Sequence, residues 1–405
     1  MVRDNDFIKH SKQFKLIRKK ERNAYTITHN NHYFNAGHYL RWGVWQSQQT
    51  YAQHDPVDLA PSNSQLFLPL IVNSSDPADT TVYEPAPSNH QESNYDLLFP
   101  ELWGFHNTGQ KGGPPDKDID APEAWGLLSN TQTPEVVVAL IDTGVDYAHE
   151  DLAANMWINT AEIADNNVDD DGNGYIDDYY GFDCLAGQGS AMDDNGHGTH
   201  VAGTIGAAHN RIGVMGVAPR VKIMALKAFD IWGVGRLSAI LDCIEYATVM
   251  KAEHNVNIVA INASWGGDRY IQELYDAIAE AGREGIMVSA SGGNDGRNTD
   301  ILPQYPSAYD LPNVVAVAAS DRKDKLAEFL PPPFHHYSGS NWGHQSVDLV
   351  APGVEILSTS RWHDYSFKSG TSMAAPLVTG AAVLLQEQYP QLGITLLSGK
   401  RKEMR

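Results

Sequence analysis

Five short apolar runs, each bounded by turn residues, constrain this chain's fold more than any other feature. They occupy residues 136–141 (Val-Val-Val-Ala-Leu-Ile), 221–226, 258–262, 285–290 and 314–318. Runs this short and rich in β-branched residues, without polar alternation, read as strands buried on both faces. Helical patterns lie between them, notably over 236–251 and 270–284. Strands alternating with helices of that length imply an α/β fold, a mostly parallel central sheet with helices on both faces. Functional groups in such sheets gather at the carboxyl ends of the strands.

The 405 residues are 42% hydrophobic and 20% charged, enough for a sizeable buried core. The 35 glycines point to tight turns and close backbone approaches. Residues 1–96 have a different texture, rich in Asn, Gln, His, Ser and Tyr and closing on Pro85-Ala-Pro-Ser-Asn. They read as an N-terminal extension and candidate pro-segment, with 97–405 as the main domain. No internal repeat is visible.

The net charge of −21, from 29 basic and 50 acidic residues, excludes nucleic acid or an anionic membrane surface as the main partner. A basic tip from Arg3 to Arg22 reads as a solvated tail. No run of 18 apolar residues is present, so no membrane span is expected. The basic start lacks the apolar stretch of a signal peptide, and the apolar segment 66–72 is short and interrupted by Pro69. Cys184 and Cys243 admit either one bridge or two thiols.

Three strings carry chemistry. Leu140-Ile-Asp-Thr-Gly-Val-Asp146 puts Asp142 where the first strand ends. Alone, such an aspartate reads as a turn or cap. Asn195-Gly-His-Gly-Thr-His-Val-Ala-Gly203 flanks His197 with glycines just before a small-residue helix. His197 and His200 also suggest a metal pair, but no glutamate lies between them as in a zinc-protease helix. Ser369-Gly-Thr-Ser-Met-Ala-Ala-Pro opens a long apolar helix with Ser372 at its start. A serine there is an N-cap or a nucleophile favoured by the helix N-terminus. Asp142 to His197 spans 55 residues, and His197 to Ser372 spans 175.

These strings, in the order Asp, His, Ser, resemble those of the subtilisin-like serine proteases (subtilases, peptidase S8). The resemblance runs from about Leu102 to Tyr389, about 70% of the chain. It implies a three-layer fold and a serine endopeptidase with Ser372 as nucleophile, His197 as general base and Asp142 orienting the histidine. Asn294, in Ser289-Ala-Ser-Gly-Gly-Asn, is implied as the oxyanion donor beside the Ser372 N–H. Ser264, Trp265 and Gly266 resemble one wall of the substrate cleft, and Ser291, Gly292 and Gly293 the other. Trp265 also reads as plain core. The rival expectation is a catalytically silent member of the fold that binds peptides or partner proteins.

Residues 169–178 (Asp-Asp-Asp-Gly-Asn-Gly-Tyr-Ile-Asp-Asp) approach the start of a calcium loop, offering Asp169, Asp171, Asn173, Asp177 and Asp178. The twelfth position is Tyr180 rather than Glu, so this is not an EF-hand. A calcium-binding surface protein would account for this loop and leave the three strings unexplained. The resemblance implies a second calcium site at Asp151 and Asn210, with backbone carbonyls of Ala208, Ile212 and Val214. It further implies polypeptide substrates, a monomer and secretion, although the visible N-terminus shows no export signal. Two departures stand out: the N-terminal extension does not resemble a standard inhibitory pro-domain, and the chain stops 33 residues after Ser372; Leu330-Pro-Pro-Pro-Phe-His-His is a further, unusual insertion.

Overall fold

All five strands read from the sequence form, most of them displaced by a residue or two. The computed structural model describes residues 65–67, 72–73, 95–128, 134–189, 191–329 and 339–390, all within one compact unit, Pro61–Arg405. The 330–336 insertion and the end after 390 lie outside the described residues, as does most of the N-terminal extension.

In chain order, β1 (Gln65–Phe67) and β2 (Val72–Asn73) precede α1 (Ala121–Leu127) and β3 (Val137–Asp142). β4 (Gly181–Asp183), α2 (His197–Gly206), β5 (Lys222–Lys227), β6 (Val234–Arg236) and α3 (Leu237–Ala252) follow. Next come β7 (Ile258–Ala263), α4 (Gln272–Arg283), β8 (Met287–Ser291) and β9 (Val314–Ser320). β10 (Leu349–Pro352), β11 (Ile356–Ser360), β12 (Asp364–Ser369) and α5 (Thr371–Gln388) complete the described elements.

Seven strands make one sheet in the order β10-β9-β8-β7-β3-β5-β4, each neighbouring pair parallel. Alternation along β3 divides the core in two. Val138 and Leu140 face a cluster containing Val201 and Ile205 of α2 and Met373 and Val383 of α5. Val137, Ala139 and Ile141 face another, with Ile240 and Ile244 of α3 and Leu274 and Ile278 of α4. Strand side chains point alternately to opposite faces, so a centre strand must be apolar at every position. The result is the three-layer α/β arrangement. Truncating Leu140 to Ala would cost about 2–5 kcal/mol.

Two smaller sheets flank this body: β1 pairs antiparallel with β6, and β2 with β12, which also pairs with β11. Cys184 and Cys243 are joined in a disulfide that ties the segment after β4 to α3.

Candidate active site

Asp142 closes β3 and is fully buried. Its Oδ1 lies 2.7 Å from His197 Nδ1 and accepts the Thr143 N–H at 2.7 Å. A carboxylate can only accept, so Nδ1 carries the proton and Nε2 keeps its lone pair. That Nε2 is buried and has no partner among the described residues. Glycine is required next to the ring: a Cβ on Gly198 would overlap Gly144 O and come within 3.2 Å of Asp142.

The loop before His197 is fixed by Asp193, a residue that the sequence reading passed over. Its buried carboxylate accepts from Thr143 Oγ1 (2.8 Å), Asn195 and Gly196 N–H (2.9 Å each) and Thr199 N–H and Oγ1 (2.9 and 2.6 Å). Asp193 thereby ties the end of β3 to the start of α2. Lys368 of β12 approaches from the other side, donating to Gly196 O at 2.8 Å, and burial lowers its pKa.

Ser372 is the second residue of α5, where free N–H groups favour negative charge. Its Oγ donates to Ser264 O at 3.1 Å, and Ser264 Oγ donates back to Ser372 O at 2.9 Å. Asn294 sits beside this turn. Its Oδ1 accepts Thr371 N–H and Oγ1, both at 2.9 Å, which turns Nδ2 outward, buried and unpartnered among the described residues. An ideal Cβ on Gly370 would lie 3.1 Å from Asn294 Nδ2 and 3.7 Å from Ser372 N, so both nitrogens lie close to one point beside a residue with no side chain.

Trp265 buries its ring in the core and donates Nε1–H to Ile141 O at 2.9 Å, which fits the plain-core reading of its side chain. Ser264, Ser291, Gly292 and Gly293 are also buried. Gly293 N–H donates to Thr371 Oγ1 at 3.0 Å, tying one expected wall to the serine turn.

The acidic loop gathers carboxylates differently from its spacing. Asp171, Asp178 and Glu162, the last unforeseen, each bring an oxygen within 4.8 Å of the others. Asp169 instead accepts the Asn173 and Gly174 N–H groups (3.1 and 2.9 Å), and Asp177 those of Asn166 and Asn167 (2.9 and 3.0 Å). Asn173 Nδ2 donates to Asp171 and Asp178. Glu162 Oε2 is buried without a partner among the described residues, and burial raises the pKa of both Glu162 and Asp178. Three oxygens this close, one of them orphaned, suit a hard divalent cation.

At the second expected site, Asp151 accepts from Asn210 Nδ2 and Val214 N–H, both at 2.9 Å. Asp96, placed by the sequence reading at the edge of the extension, joins them by accepting Arg211 N–H at 2.6 Å and Asn210 N–H at 3.3 Å. Burial raises the pKa of Asp96 and Asp151.

A profile of the Subtilase family matches residues 133–402. The chain belongs to the subtilase family. It is 38% identical over 303 residues to the thermophilic serine proteinase of Bacillus sp. (strain AK1), covering 74% of this chain and 63% of that protein. It is 34% identical over 290 residues to subtilisin-like protease 1 of Plasmodium falciparum (isolate 3D7), covering 67% of this chain and 40% of the other. An intracellular serine protease of Paenibacillus polymyxa is 36% identical over 271 residues, 66% of this subtilase and 71% of that protein. This chain therefore spans less than two thirds of the first two relatives. No helix among the described residues is long and apolar enough to cross a membrane.

Proposed function

We propose that this subtilase is a calcium-stabilised serine endopeptidase acting through an acyl-enzyme. The 2.7 Å contact between Asp142 and His197 carries the reading, because it leaves Nε2 as a base with no competing partner. Ser372 Oγ attacks the peptide carbonyl carbon as its proton passes to Nε2. Asp142 stabilises the imidazolium, and Asn294 Nδ2 with the Ser372 N–H receives the oxyanion. Collapse breaks the C–N bond, and Nε2 returns the proton to the leaving amine. Water then enters by the same route and releases the acid.

Calcium would be held by Glu162, Asp171 and Asp178, and by Asp151, Asn210 and Asp96 at the second site. Bound there it neutralises buried carboxylates and stabilises the two loops.

The N-terminal segment is a pro-segment in this reading. Its two described strands add to edges as an extended peptide would: β1 on β6, and β2 on β12 with Val72 opposite Ser369, three residues before Ser372. The described portion acts as a monomer on polypeptide substrates. A relative named as intracellular means that family membership alone does not carry the expectation of secretion.

Ser372→Ala tests the assignment: it abolishes proteolysis and leaves the fold, whereas retained activity in a clean preparation contradicts it. The silent-member alternative predicts no covalent reaction of Ser372 with a fluorophosphonate.

A further inference from the structure

Lys368 links the strand that leads to Ser372 with the loop that carries His197. It is the penultimate residue of β12, and its side chain is buried. Its backbone is in register with Ile356 of β11. The turn that follows is fixed as well: Ser369 Oγ accepts Glu355 N–H at 2.8 Å, and Gly370 N–H donates to Gly353 O at 2.8 Å. From this fixed base Nζ reaches Gly196 O at 2.8 Å. Gly196 starts α2 at φ 102°, a left-handed conformation that glycine adopts without strain. With no side chain to anchor the peptide before His197, its carbonyl is where the loop can be held.

The far side of His197 is held by the same hairpin. Thr359 Oγ1 donates to Thr199 O at 2.7 Å, and Ser358 Oγ to His200 O at 2.8 Å. Two other cations reach the loop at Asp194, Lys227 through its carboxylate and Arg361 through its carbonyl, but neither belongs to β12. Lys368 also differs from them in its surroundings. The bond to Gly196 is its single polar contact among the described residues, and no carboxylate there comes within ion-pair distance. Burial lowers its pKa, while the charges of Asp193 and Asp142 oppose that. A buried cation without a paired carboxylate costs stability, and a well-packed apolar chain in its place is neutral or better. Fold stability therefore does not account for a lysine here.

We propose that Lys368 is a positioning residue for the peptidase reaction: by tying Gly196 to the strand that delivers Ser372, it sets the approach of His197 Nε2 to Ser372 Oγ. The inference rests on the peptidase reading above. Misplacing reacting groups by about 1 Å costs about 10² in rate, so a tie of this kind acts on kcat.

The test is steady-state kinetics of the full-length protein, with calcium, on one peptide, with each rate divided by the serines that a fluorophosphonate titrates to completion. Lys368→Met keeps most of the apolar chain and removes the donor. Its kcat should fall about tenfold to a hundredfold, with KM changed less than about twofold. Lys368→Gln and Lys368→Arg each keep an N–H donor, and at least one should recover most of that loss. In the Ser372→Ala background, Lys368→Met should melt no lower than its parent, which separates positioning from a weakened fold. An unchanged kcat in Lys368→Met, a change confined to KM, equal losses in all three variants, or a loss of kcat matched by a lower melting temperature would overturn the proposal and leave the peptidase reading standing. A wild-type chain that takes no fluorophosphonate on Ser372 would overturn the peptidase reading first, and this inference with it.

Discussion

Asn294 and Thr371 are joined by two hydrogen bonds of 2.9 Å, both ending on Asn294 Oδ1. The pairing fixes which end of the amide is free: Thr371 supplies the donors, so Nδ2 is left buried without a partner among the described residues, near the Ser372 nitrogen. Asn294→Ala should lower kcat about 10²–10³-fold with much smaller change in KM, since the donor is needed only when the oxyanion forms. Steady-state kinetics on one peptide checks this. An unchanged kcat would remove Asn294 from the reaction.

Asp142→Asn tests the tautomer argument. An amide nitrogen offered to His197 Nδ1 would force the ring proton onto Nε2, the atom that must accept from Ser372. Activity at neutral pH should fall about 10⁴-fold while the melting temperature changes little. A loss below about tenfold would mean that the 2.7 Å contact does not set the ring's protonation.

His200 supplies a pH test apart from catalysis. Burial, with Lys368 and His197 nearby, lowers its pKa well below 6.5, and its Nε2 lies 3.0 Å from both Ile356 O and Ser366 O. The folded state thus keeps a neutral ring, while the unfolded state takes up a proton below about pH 6.5. Its contribution to stability is complete above that pH and is lost as pH falls, at up to about 1.4 kcal/mol per unit. Urea midpoints from pH 8 to 5.5, measured on Ser372→Ala so that the chain cannot digest itself, should fall at acid pH. His200→Gln should flatten that slope despite a lower stability at pH 8.

Calcium removal should matter through the cluster of Glu162, Asp171 and Asp178. In the Ser372→Ala background, a chelator should lower unfolding stability by about 2.7 kcal/mol relative to calcium at a hundred times its dissociation constant. Glu162→Gln should weaken this response. Thermal melts indifferent to chelator would contradict the calcium reading.

What the sequence showed and what it hid have physical causes. The centre strands β3, β5, β7, β8 and β9 were legible because burial on both faces demands unbroken apolar runs. The edge strand β10 was not, since Leu349 and Val350 are exposed and the strand ends on Pro352. β11 and β12 are built largely from Ser, Thr and charged residues, and β4 has only three residues. Asp142, His197 and Ser372 were legible because each sits in a string whose glycines and small residues serve close approach. Asp193, Glu162 and Asp96 act through neighbours brought from elsewhere in the chain, and single residues of that kind leave no periodicity to read. The pairing of Cys184 with Cys243, 59 residues apart, likewise depends on where β4 meets α3.

The most direct measurement is intact mass of the purified chain, with calcium, before and after a fluorophosphonate probe. The account predicts one adduct, on Ser372, absent from Ser372→Ala and much reduced in Asp142→Asn. A folded, calcium-loaded chain that takes no adduct would contradict it and leave a silent member of the fold.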